Sequence, residues 1–218
     1  MKTGIPSIPL REVLHFLGWR GSPVEEQVLQ QIQSAMAVAQ KELEAHTIVR
    51  HFALESDMHL ANTIFTPGGS DICRLLSDSD GAILMAATLG AQSERLLLRY
   101  QARSSSDALI MDAVLSAAIE AVCDEQESLL RKEYLESGYY LTDRFSPGYG
   151  DMPLEQSKEI CALLQSEKNI GLTVSRSGIM MPRKSVTAII GVSKTPQKRR
   201  PSPCTVCHMR DSCTLRKI

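Results

Sequence analysis

The chain has 218 residues, 43% of them hydrophobic, and a formal net charge of −1. That is enough to bury one substantial core and suggests one or two domains. No apolar run reaches the roughly 18 residues a bilayer span needs, which excludes a membrane-spanning helix. Prolines in Met1 to Leu10 stand where a signal peptide would be apolar, so a cytosolic protein is expected. The charge is unevenly spread: Lys194, Lys198, Arg199, Arg200, Arg210, Arg216 and Lys217 face one acid, Asp211, in the last segment. We therefore read residues 1–193 as one domain and 194–218 as a basic, cysteine-rich tail.

In chain order, Leu10 to Leu17 predicts a short helix stopped at Gly18. Ser22-Pro23-Val24-Glu25 has the layout of a capping box with proline at the first helical position. Val24, Val28, Ile32, Met36 and Ala39 then recur at helical spacing, predicting a surface helix packed on one face. His46 to Leu54 turns to β-branched and aromatic residues, and Ile64 with Phe65 precedes the break Thr66-Pro67-Gly68-Gly69, so one or two strands are expected there. Gly81 to Leu89 is almost wholly apolar and reads as a strand covered on both faces. From Ala91 to Glu136 two helices follow, broken near Ser104-Ser105-Ser106, whose serines with Asp107 favour a cap. Leu154 to Lys168 predicts another amphipathic helix, and Leu172 to Val192 a hairpin. Strands and helices mix without regular βαβ alternation, so the expected class is α+β, an antiparallel sheet with flanking helices.

The stretch Asp143-Arg144-Phe145-Ser146-Pro147-Gly148-Tyr149-Gly150-Asp151 carries the most chemistry. Pro147 and Gly148 make a stiff turn that a ligand can approach closely. Arg144 offers a planar fork for a carboxylate, and Tyr149 a ring face with a hydroxyl. By themselves such Pro-Gly pairs indicate only a turn between helices.

Arg144-x-x-Pro147-Gly148-Tyr149, followed by an amphipathic helix and by Met181-Pro182-x-x-Ser185-Val186, resembles the activation domain of cobalamin-dependent methionine synthase. The resemblance covers Gly81 to Ser193. It implies that S-adenosylmethionine is bound, with Arg144 on the methionine carboxylate, the main chain around Ser146 on adenine, and Tyr149 near ligand and cobalamin. Matching Arg131-Lys132-Glu133-Tyr134 to the end of the family's helix puts its ligand-binding glutamate at Glu120. Ala113, Ser116, Ala117, Glu120 and Asp124 share one helical face, whose small residues are expected to leave room beside that carboxylate. The family's N-terminal acidic ligand residue has no assigned counterpart, Asp57 included. The implied activity is reactivation: reduction of cob(II)alamin coupled to methyl transfer from S-adenosylmethionine. The cobalamin would be carried by a partner, methionine synthase or another corrinoid methyltransferase, and an electron donor is required.

Asp57-x-His59 echoes a cobalt-ligating signature, but Asn62 replaces its final glycine, and His59 is read as a packing or surface residue. Cys73, Cys123 and Cys161 lie singly in apolar stretches and read as buried thiols of a reducing compartment. Cys204-x-x-Cys207-His208 has the form of a c-type haem attachment, which needs export. With Cys213 it gives three thiols and an imidazole, a set suited to zinc or an iron–sulfur cluster. The rival reading is a zinc knuckle on nucleic acid. The tail lacks any Phe, Tyr or Trp for base stacking, which argues against it.

Overall fold

The computed structural model describes residues 2–19 and 23–197. Its elements in chain order are β1 (Lys2–Gly4), α1 (Leu10–Phe16), α2 (Glu26–Glu42), β2 (Glu44–Ala53), α3 (Ser70–Leu76), β3 (Gly81–Thr88) and α4 (Gly90–Gln101). There follow α5 (Ser105–Glu136), β4 (Tyr140–Leu141), α6 (Gln156–Leu164), α7 (Ser166–Ile170), β5 (Thr173–Val174), β6 (Met180–Met181) and β7 (Ser185–Ser193). Five strands form one antiparallel sheet in the order β1-β2-β3-β7-β4, and β5 with β6 forms a separate hairpin.

The middle strand explains the layering. Every residue of β3 is buried, and successive side chains of a strand point to opposite faces. Ile83, Met85 and Ala87 enter a core built with α1, α2, α4 and α5, whereas Ala82, Leu84 and Ala86 enter a second core with α3, α6 and α7. A strand covered on both sides has no polar face to show. The expected α+β class with an antiparallel sheet and flanking helices is therefore the one found.

The long helix α5 backs the first core with Met111, Val114, Leu115, Ala118 and Val122. It starts where the serines predicted, because the Ser104 side chain accepts from the Asp107 amide at 3.0 Å.

Four expectations differ. Helix α2 begins at Glu26, not Pro23, and Ser22 of the anticipated capping box lies outside the described residues. Phe65 is buried in the second core and Ile64 stands in solvent, but neither lies in a strand. The helix expected over 154–168 is split into α6 and α7 by Gln165, whose left-handed φ of 49° interrupts the helix. The hairpin over 172–192 closes within β5 and β6, leaving β7 free to run alongside β3.

β7 also carries a glycine demanded by its neighbours. Gly191 exchanges bonds with Thr142, amide to hydroxyl at 2.8 Å and Thr142 amide to carbonyl at 3.0 Å. A Cβ there would collide with Ser79 Oγ and come within 2.9 Å of Thr142 Cγ2 and 3.0 Å of Leu76 Cδ2. Gly191→Ala should therefore cost about 1–3 kcal/mol, the usual cost of overpacking. Urea unfolding of the two proteins checks this, and a wild-type midpoint with an unchanged slope would contradict it.

Candidate functional site

The edge of the sheet beyond β4 contains one residue too many. Leu141 stands opposite Val192, yet Phe145, four positions later, stands opposite Ile189, only three positions back. That is a β-bulge, and a bulge re-aims the side chains that follow it. In an unbroken strand Leu141 and Phe145 would share a face. Instead Leu141 enters the core under α5 and Phe145 the core under α6. Arg144, next to Phe145, is thereby turned toward α5.

Arg131 of α5 secures this irregular edge. Its Nη1 donates to the Leu141 carbonyl at 2.6 Å and its Nη2 to the Thr142 carbonyl at 2.8 Å. The same guanidinium pairs with Glu127 at 2.6 Å and Asp143 at 3.0 Å. Sequence reading used Arg131 only as an alignment mark and missed this role.

Arg144 meets three carboxylates spaced along α5. Its Nη2 lies 2.7 Å from Glu120 Oε2, and its Nη1 lies 2.5 Å from Asp124 Oδ1 and 3.1 Å from Glu127 Oε2. Residues 120, 124 and 127 are one and two helical turns apart, so one guanidinium can reach all three. The Arg144 side chain is only 19% exposed. Burial disfavours its charge, but the charges packed around it raise its pKa above the ordinary arginine value. Beneath them the fully buried Cys123 thiol is pushed up to about 12, chiefly by desolvation, and stays neutral.

Arg144 and Glu120, named from sequence for one ligand, are thus in direct contact. Ser116 and Asp124 line the same border, whereas Ala113 and Ala117 are buried in the core. At the upstream end of this border Lys184 reaches Asp112 Oδ1 at 2.8 Å and Ser116 Oγ at 2.8 Å. Arg183 pairs with Glu94 of α4. The segment after Met181-Pro182 is therefore tied to the helix that carries Glu120.

Past Phe145 the chain crosses the sheet's edge. Ser146 opens a turn in which its carbonyl accepts from the Tyr149 amide at 3.1 Å, and Tyr149 is 59% exposed. The turn is anchored on the opposite side from Arg144. Asp151 accepts from the Ser70 amide and hydroxyl, both at 2.7 Å, and from the Asp71 amide at 3.0 Å, so it caps α3 from eighty residues away. Gly150 is required there, because its φ is 53° and a Cβ would strike the Asp71 carboxylate.

Two cavities are found elsewhere. One of about 310 Å³ is lined by His51, Asp80, Glu133 and Tyr139, and one of about 430 Å³ by residues of α6, α7 and β5. Neither is lined by Arg144, Glu120, Ser146 or Tyr149. Among the described residues no group of three or more His, Cys, Asp or Glu could hold a metal. Cys204, Cys207, His208 and Cys213 lie outside the described residues. No helix among the described residues is long and apolar enough to cross a membrane.

The family model described as "Vitamin B12 dependent methionine synthase, activation domain" matches residues 76–198. A crystal structure of the MetH reactivation domain bound to AdoHcy has a similar fold, with a TM-score of 0.62 and 17% identity over 92% of this chain and 80% of that chain. No curated protein matches.

The Asp151 cap predicts an acid response. Hydrogen bonds from the Asp71 amide, the Ser70 hydroxyl and the Ser70 amide lower its pKa from 3.8 to about 2. A carboxylate depressed in the folded state contributes stability above its unfolded pKa and loses it as pH falls through the folded value. Between about pH 4 and pH 2 the wild type should therefore lose stability faster than Asp151→Asn, as followed by thermal melts. Parallel curves for the two proteins would contradict the cap's role.

Proposed function

The chain belongs to the activation-domain family of vitamin B12 dependent methionine synthase, and on that premise we propose that it binds S-adenosylmethionine and supports the reductive methylation of cob(II)alamin. The cobalamin would be held by a methionine synthase or related corrinoid methyltransferase, and an electron donor is required. The observation that carries this reading is the meeting of Arg144 and Glu120 at the sheet's edge, 2.7 Å apart, beside the Ser146 to Tyr149 turn.

The local charge suits such a ligand. Glu120, Asp124, Glu127 and Asp143 gather around only two guanidiniums, Arg131 and Arg144. A nucleoside bearing a sulfonium and an ammonium is attracted to that acidic excess, while its carboxylate has Arg144. A structural relative of this fold holds AdoHcy, the demethylated form of the same molecule.

S-adenosylmethionine, when bound, supplies an electrophilic methyl group to the partner's reduced cobalt. This chain's part is to bind and orient. Arg144 fixes the amino-acid end, Glu120 accepts from the ammonium or the ribose hydroxyls, backbone groups around Ser146 meet the adenine, and Tyr149 stands at the open side. Leu154, half exposed, lies against Gly148 and Gly178, and with Tyr149 and Ile179 it gives a partner apolar surface from which water can be excluded. No side chain is assigned as a general acid, base or nucleophile.

We also propose that residues 194–218 form a separate unit in which Cys204, Cys207 and Cys213 bind an iron–sulfur cluster or zinc. The support is their spacing and the low apolar content of Lys194 to Pro203, which leaves ligation as the means of ordering the segment.

Two measurements test these proposals. Arg144→Ala should weaken S-adenosylmethionine binding in calorimetry by roughly 2 kcal/mol or more, the loss expected for a charge-assisted bidentate contact. Arg144→Lys, which keeps the charge that the three carboxylates need, should lose the fork and bind between the two. Unchanged affinity in both variants would reject the assignment. Full-length protein purified without oxygen should contain iron or zinc, and Cys207→Ser should lower that content; metal-free wild type would reject the tail site.

A further inference from the structure

Arg144 does not present a free fork. Glu120 takes its Nη2, while Asp124 and Glu127 share its Nη1. The three carboxylates are held unequally. Glu127 is 14% exposed and is also gripped by Arg131 at 2.6 Å from Nη2 and 3.0 Å from Nε. Glu120 is 37% exposed. Asp124 is 70% exposed, and among the described residues its carboxylate makes no second hydrogen bond or ion pair.

We infer that Asp124 is an internal competitor for the ligand's carboxylate, a specificity-determining residue that occupies the outer edge of the Arg144 guanidinium until a ligand displaces it. The inference rests on Arg144 being the carboxylate anchor. Of the three acids, Asp124 is the cheapest to release, because it is the most exposed to water and no other described residue holds it. Ligand entry is then an exchange of one carboxylate for another, and apparent affinity falls by the fraction of molecules in which the guanidinium is taken.

Exchange also explains what the edge would select. Once released, Asp124 stands near Glu120 with its charge unanswered, and a positive group on the ligand relieves both. A molecule with a carboxylate alone meets two acids, and a nucleoside without the amino-acid arm gains nothing from displacing Asp124. The arrangement therefore favours ligands that carry a carboxylate together with a cationic group.

The test compares wild type with Asp124→Asn by calorimetry, with thermal melts to confirm folding. The ligands are S-adenosylhomocysteine, S-adenosylmethionine and 5′-methylthioadenosine, which lacks the carboxylate. Asp124→Asn should bind S-adenosylhomocysteine about three- to fivefold more tightly, the factor set by removing one exposed ion pair. S-adenosylmethionine should gain less, because the lost carboxylate also attracted its sulfonium, and 5′-methylthioadenosine should not gain at all. Wild type that binds S-adenosylhomocysteine as well as the variant, or better, overturns the inference and leaves the anchor standing. An equal gain for 5′-methylthioadenosine overturns it as well, since no carboxylate is then involved. If Arg144→Ala binds all three like wild type, or if nothing binds wild type or Asp124→Asn, the anchor falls and the inference with it.

Discussion

A guanidinium four-fifths buried must be answered by charge, and the answer to Arg144 organises the whole edge of the sheet. Glu120, Asp124 and Glu127 recur along one side of α5, where three like charges would repel one another without a cation between them. Arg131 then binds Glu127 from the other side and extends to the carbonyls of Leu141 and Thr142. Helix, bulge and edge strand are thus mutually dependent. The inner side of the same helix turn is apolar, with Ile119, Val122 and a neutral Cys123 in the core, so the charges have only the border to occupy.

The edge is also where the two cores meet. Leu141 belongs to one and Phe145 to the other, and the turn that follows is held by Asp151 on α3 rather than by α5. A ligand spanning Arg144 and Tyr149 would therefore touch parts anchored on both faces of the sheet. With Asp124 and Tyr149 exposed at that border, a ligand held there as proposed would be within a second protein's reach.

What could be read in advance was what short stretches encode. β3 was legible because the almost wholly apolar run between Gly81 and Gly90 has no polar side to show, and α5 because Ser104 caps it locally. α3 was not, since its cap arrives from Asp151, far along the chain. The division of α6 from α7 was hidden because Gln165, not glycine, takes the left-handed angle. At the site, Arg144 and Glu120 were named through family resemblance. Glu127 was within reach of plain helical spacing, which would have placed it beside Glu120 and Asp124. The bulge that aims Arg144 leaves no mark in composition, because it is a count of residues between two pairings and not a kind of residue.

That count has a consequence for how the chain tolerates length changes. Between Leu141 and Phe145 the chain uses four steps where its neighbour uses three, so losing one residue would straighten the ladder with Phe145 still opposite Ile189 and Arg144 still on the α5 side, whereas each residue gained would enlarge the bulge. Shortening by one residue is thus the length change that the ladder itself accommodates, where a surface loop of similar length would accept almost any number.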